Sequence, residues 1–181
     1  IDTDRAVLGD AQDVITASLA RALDVQLFES VRRQLEREGE HHPDARDLVM
    51  RGWAWFYRSP SPNTMQTAIR DFEAAPSLEP ASIDAKVGLA TAATMNVAEG
   101  WAGDAEQEKE RAEQLLTNAL QGDANRSAAH FAMGCPRRLQ GRLSESRFSL
   151  QRAVNLNPSD ARALRQLATT HIFLGEPSAA I

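Results

Sequence analysis

A pattern of small and apolar residues returns along this chain at a fixed interval, and such a recurrence leaves few folds open. Residues 127–160 are the clearest copy, a 34-residue unit that reads as two short helices around a glycine turn. The first helix carries Phe131, Met133 and Gly134, and Gly141 ends it after Leu139. The second begins near Ser144 as its N-cap and sets Ser146, Leu150 and Ala153 at i, i+4 and i+7 on one face. Leu156 and Pro158 close the unit, since proline cannot extend a helix. Moving on by 34 brings Leu164, Leu167, Ala168, Gly175 and Ala180 into the same places. Moving back, Ala75, Ala119 and Ala153 are separated by 44 and 34, and Phe72, Leu116 and Leu150 by the same two steps. The larger step is a ten-residue insertion into one architecture, expected on the turn between paired helices. One such unit cannot bury its apolar side alone, so the period implies stacking.

Composition narrows the functions such a stack can have. With 181 residues and 43% hydrophobic content the chain can bury a core, and no apolar run approaches the ~18 residues of a membrane helix. A net charge of −5 argues against non-specific nucleic-acid binding, although residues 127–181 carry seven bases against three acids. One cysteine, Cys135, excludes an internal disulfide and fits a reducing compartment, so a cytoplasmic location is expected. The excess of Arg and Ala suggests GC-rich bacterial coding. No Gly-rich phosphate loop, HExxH or paired-cysteine spacing occurs, so no catalytic set, metal site or cofactor is expected. His41 and His42 read as a linker pair, and His130 and His171 as structural imidazoles at packing positions. Cys135 lacks an activator that would make it a reactive thiol.

Taken in order, residues 1–8 read as the tail of something upstream, and the chain as a fragment ending within a unit at Ile181. Val14, Ile15, Leu19, Ala22 and Leu23, then Leu27, Phe28, Val31 and Leu35, predict a helical pair within 1–42 that caps the first repeat. Units of about 45–82, 83–126, 127–160 and a truncated 161–181 come next. Ser59-Pro60-Ser61-Pro62 lengthens the first turn by four residues, and Asp104 is placed to cap the helix that resumes after the insertion. Trp101 in that insertion is expected to fold back on the helices, the alternative being an exposed contact. Pro76 should unwind the end of its helix, and Pro136 should kink its helix or end it early.

Met133-Gly134, Gly141, the S-x3-L-x2-A of 146–153 and Pro158 resemble the tetratricopeptide repeat (TPR) family. Gly52, Trp55, Ala68, Phe72 and Pro80 carry the likeness into the first unit. The stretch AQDVITASLARAL at 11–23 resembles the segment preceding TPR arrays in bacterial signalling proteins such as adenylate or guanylate cyclases. The resemblance implies an all-α, right-handed solenoid whose first helices line a concave groove. Its groove positions fall on Arg46, Val49, Trp53, Phe56 and Tyr57, then on Asp84, Val87, Thr91, Thr94 and Met95. They continue on Ala128, Phe131, Cys135, Arg138 and Leu139, and on Arg162, Arg165, Thr169, Ile172 and Phe173. The partner-binding residues expected from this set are Arg46, Trp53, Tyr57, Thr91, Arg138, Arg162 and Arg165. Trp53 and Phe56 equally fit as core beneath the N-terminal helices.

The Lys and Asn with which some family members clamp a peptide carboxylate are replaced here by Val49 and Trp53, so that mode is not expected. The function implied is a non-catalytic module binding a protein or peptide, with no nucleic acid and no membrane. The alternatives are a regulatory arm of a multidomain signalling enzyme such as a nucleotide cyclase, and a homodimer through the uncovered apolar face of the last unit.

Overall fold

The structure, a computed structural model, describes residues 44–176. The helical pair expected within 1–42, the 11–23 segment, His41-His42 and Ala180 lie outside the described residues. Seven helices and no strand make up the described part. They are α1 (Ala45–Phe56), α2 (Pro62–Leu78), α3 (Ile83–Ala98), α4 (Ala105–Gly122), α5 (Ser127–Leu139), α6 (Leu143–Leu156) and α7 (Ala161–Phe173).

Local chemistry starts most of them. Asp44 and Asp47 form a reciprocal capping box on α1, as do Ser61 and Thr64 on α2, with Pro62 at the first helical position, where its missing N–H costs nothing. Ser82 caps α3, and Asp104 accepts from the Gln107 amide to cap α4 as the sequence suggested, with Glu106 and Glu108 in the positive first turn. Asp160 accepts from the amides of Arg162 and Ala163 at the start of α7. Gly141 and Gly175, 34 positions apart, both take φ of +75°, the left-handed turn after a helix end that a side chain would resist.

Three local expectations are corrected. Ser144 is not the cap of α6, which begins at Leu143 behind Arg142 and has no side-chain cap at all. Pro76 does not unwind α2 early, because the helix runs on to Leu78; so late in a helix the missing N–H removes only one terminal bond. Of the two outcomes expected at Pro136, the early end does not occur, since α5 continues to Leu139. The ring is fully buried, and packing holds a geometry that local propensity opposes. The insertion is also distributed differently from the expectation of a lengthened turn. Compared with α5 and α6, α3 is 16 residues long against 13 and α4 is 18 against 14, while the turn 99–104 replaces 140–142. Most of the added residues therefore extend both arms of one hairpin. Trp101 folds back from that turn and is half-buried against the first core cluster, as expected.

Each helix packs on its neighbours along the chain, and α1, α3, α5 and α7 also pack each on the next of their own set, which is the signature of a solenoid. α3 is the hub. Ala85, Leu89 and Ala92 join the core formed with α1 and α2, and Val87, Ala90 and Ala93 join the next core with α4 and α5. A helix apolar on both sides is one that is covered on both sides. Phe72, 0% exposed, drives its ring edge between Gly52 and Gly88, where a Cβ would stand 2.6 and 2.4 Å from it. Burying such a ring contributes about 1.5–3 kcal/mol. Leu150 meets Gly134 in the same way, 2.5 Å from where a Cβ would be. Beside it the buried Ser146 hydroxyl donates to the Gly134 carbonyl at 2.8 Å.

Ion pairs also join the units. Arg111 meets Glu73 at 2.7 Å, Arg126 meets Asp84, and Glu113 takes both Arg137 at 3.0 Å and Arg142 at 2.7 Å. Arg137 also donates to Ser149 Oγ at 2.9 Å.

Candidate functional site

The first helices of successive pairs touch in turn, α1 with α3, α3 with α5 and α5 with α7, and form the inner wall of the solenoid. At the α1 end the wall is aromatic. Trp53 stacks on Tyr57 with centroids 5.7 Å apart, and sets its edge against Phe56 at 5.4 Å and Phe72 at 5.2 Å. It is half-buried and belongs to both environments, packing on the core ring of Phe72 while lying beside Tyr57. Val49, Val87 and Thr94, at expected groove positions, are instead buried; the Thr94 hydroxyl is turned back to the Ala90 carbonyl at 2.7 Å. Thr91 is half-buried, and its hydroxyl likewise serves its own helix, donating to the Val87 carbonyl at 2.7 Å.

At the other end the wall is cationic. The Arg162 guanidinium lies 5.4 Å from the centroid of Phe131, and that of Arg138 lies 5.9 Å from Phe173, both within cation–π range. Arg162 is positioned by Asp160, whose carboxylate accepts from its backbone amide at 3.0 Å and from its Nε at 3.2 Å. From there its Nη1 donates to the Tyr57 hydroxyl at 2.6 Å, a bond that joins residues 105 apart in sequence across the inner face. Cys135 sits between, half-buried; desolvation pushes its thiol up to about 11 against the opposing pull of the Arg138 and Arg165 charges. The thiolate form is thus disfavoured, and the Cys135 thiol donates to the Phe131 carbonyl at 3.7 Å. The Nε of Arg138 is buried with no hydrogen-bond partner.

Of the seven residues singled out from sequence, Trp53, Tyr57, Arg138 and Arg162 join this wall through contacts with one another or with its aromatic rings, and Arg165 is exposed in the second turn of α7. Arg46, exposed in the first turn of α1, enters none of those contacts, and the Thr91 hydroxyl is occupied. Phe131, Phe173 and Asp160 were not in that set. Phe131 and Phe173 stood at groove positions, and Asp160 was legible as a helix cap, but their pairing with arginines depends on how α5 and α7 are placed. Among the described residues no cluster of three or more His, Cys, Asp or Glu could hold a metal ion. No helix of the described residues is long and apolar enough to cross a membrane.

No family model matches the chain, and no curated protein matches it in sequence. Solved structures do match in fold. TTC0263, a thermophilic TPR protein of Thermus thermophilus, superposes with a TM-score of 0.69 at 18% identity, over 94% of this chain and 83% of its own. The first TPR of Spaghetti (RPAP3), bound to the HSP90 peptide SRMEEVD, gives 0.57 at 17% identity over 73% of this chain and 94% of its own. The second TPR domain of human RPAP3, in complex with the HSP70 peptide SGPTIEEVD, gives 0.52 at 21% over 70% and 93%. The fold is an all-α TPR-type helical solenoid.

Proposed function

We propose that this chain is a non-catalytic interaction module that takes an extended peptide segment of a protein partner along its inner wall. The observation that carries the reading is the set of partly exposed aromatic rings and arginines at the two ends of that wall: Trp53 and Tyr57 on α1, Phe131 and Arg138 on α5, Arg165 and Phe173 on α7. Aromatic and arginine side chains carry most of the binding energy at interfaces: the rings bury large area with few torsions to freeze, and the guanidinium offers a rigid planar fork of donors. Repeat solenoids use their concave side in this way, and two of the matched TPR structures hold peptides. The setting we take for it is a larger bacterial signalling protein, of which 43–181 is the repeat array and 1–42 the approach to it.

The test is a random-peptide display library selected on the whole chain, with recovered peptides titrated by fluorescence anisotropy. Trp53→Ala and Arg138→Ala are expected to weaken them about tenfold or more. Outer-face Gln151→Ala should leave affinity within twofold. Peptides that bind both inner-wall variants as tightly as the parent chain, yet lose affinity to an outer-face variant, would refute the groove.

A further inference from the structure

α1 is apolar on two sides, and the described helices account for one of them. Ala45, Leu48 and Val49 enter the core shared with α2 and α3, and Gly52 meets the Phe72 ring from that side. Ala54 lies about 160° round the helix from Gly52. Yet it is 7% exposed, and neither buried cluster of the described residues includes it. Half-buried Met50 stands one turn before it on the same side. The long side chains a turn away are drawn elsewhere: Arg51 pairs with Asp71 at 2.7 Å, and the Arg58 guanidinium lies over the Trp55 ring.

The later units show what this side of a first helix is for. Moving on by the unit lengths of 38, 44 and 34, Ala54 corresponds to Ala92, Pro136 and Thr170, all of them buried. Met50 corresponds in the same way to Gly88 and Ala132. Ala92 belongs to the core of α1 and α2, Gly88 receives the Phe72 ring of α2, and Ala132 shares a core with Leu116 of α4. At these places a first helix takes the second helix of the pair before it. For α1 the chain that comes before is residues 1–43, and it carries the matching register. Leu35 stands eight residues before Pro43, as Phe72 stands before Pro80 and Leu150 before Pro158. Val31 precedes Leu35 by the four residues that separate Ala68 from Phe72 and Ser146 from Leu150. Together with Leu27 and Phe28 they fall on one helical stripe. Gly39–Pro43 is a tether of at most roughly 17 Å, and packed helix axes stand about 8–10 Å apart, so a helix stopping before Gly39 is held beside the start of α1.

We propose that residues 24–38 dock as a helix on the Met50–Ala54 side of α1, with Leu35 against both residues, and close the first end of the stack from within the chain. The small side chain of Ala54 allows the close approach that Ala92 allows where α3 meets the first core. This side of α1 is thus filled by the protein's own polypeptide and not offered to an outside partner. The docking stands whether or not the inner wall binds peptide.

The experiment uses the whole chain with a protease recognition site inserted after Glu40, cut in place and passed through gel filtration at a series of dilutions. The expected result is that the N-terminal piece, followed by mass spectrometry, co-elutes with the rest. Ala54→Arg and Leu35→Glu should each raise its apparent dissociation constant about tenfold or more. Arg33→Gln, on the opposite side from the stripe, should leave it within twofold. Circular dichroism of the uncut variants reports whether their helices persist, and Leu35→Glu leaves α1 itself untouched. A piece that separates from the cut parent chain overturns the docking. A piece retained equally in Ala54→Arg and Leu35→Glu overturns the placement, and its release by Trp53→Ala would then put the segment on the inner wall. A piece that separates while the uncut chain scatters light as a dimer, and as a monomer in Ala54→Arg, overturns it in favour of a second copy.

Discussion

Gly88→Ala is expected to destabilise the first two units by forcing Phe72 out of its place. A methyl group at 88 would lie 2.4 Å from Phe72 Cε1 and 2.5 Å from Cδ1, whereas ordinary carbon contacts are about 3.5–4.0 Å, so the ring must retreat by about 1 Å. It has nowhere to go, since the same edge already rests on Gly52 of α1, where a Cβ would be 2.6 Å away. Overpacking of this kind costs about 1–3 kcal/mol, and the better helix propensity of alanine returns about 0.5–1 kcal/mol. The middle of those ranges leaves a net loss of about 1 kcal/mol, which for a chain of this size lowers Tm by roughly 2–4 °C in a circular dichroism melt. Gly122→Ala is the control: its nearest neighbour would be the flexible tip of Ile83 at 3.4 Å, so it should be neutral or slightly stabilising. Combining Gly88→Ala with Phe72→Leu should cost less than the two single losses together, because the smaller side chain relieves the clash. A Gly88→Ala variant that melts at or above the parent temperature, or strict additivity with Phe72→Leu, refutes the wedge.

Three further outcomes are expected. Burial pushes the Glu113 carboxyl up, but the hydrogen bonds from Arg142 and Arg137 outweigh it and hold it below the usual range. The stability this contributes is present above the unfolded value of about 4.3 and is lost as pH falls through the lower folded value, so Glu113→Gln should flatten the acid side of a urea-midpoint-against-pH curve; an unchanged slope refutes it. Cys135, with its thiol near 11, should react with iodoacetamide at pH 8 roughly a hundredfold more slowly in the folded chain than in urea, and equal rates would contradict its burial. Pro76→Ala restores an amide in the last turn of α2 and should raise stability by about 1 kcal/mol or more; a lower urea midpoint would show that the half-buried ring contributes more packing than its backbone costs.

What could be read without coordinates was whatever repeats. Gly52 with Phe72 and Gly134 with Leu150 are small-against-large pairs, 20 and 16 residues apart, the difference being the four residues added to the first turn. An early end at Pro136 does not occur because its cost is local and visible in sequence, whereas the burial that offsets it comes from neighbouring helices. Ser144 was misjudged because a hydroxyl near a helix start is a cap only if the chain turns there; α6 had already begun, and it is Ser146 that matters, inside the core. Within the groove, positions carried over from the repeat pattern marked the inner helices but not which side chains reach the surface. Val87 and Thr94 sink into the core because α3 is covered on both sides. The meeting of Arg162 with Tyr57 was beyond any local rule, since it depends on curvature summed over three units.

Stacked folds are usually open-ended, and one more turn of the ramp simply lengthens it. Here the rim of the first step and the threshold of the last face each other through the Tyr57–Arg162 bond. Splice in another 34 residues, or remove a pair of helices, and those two side chains no longer meet. The number of steps between them is therefore a fitted dimension of this molecule, and it can drift by gene duplication only if that latch is given up.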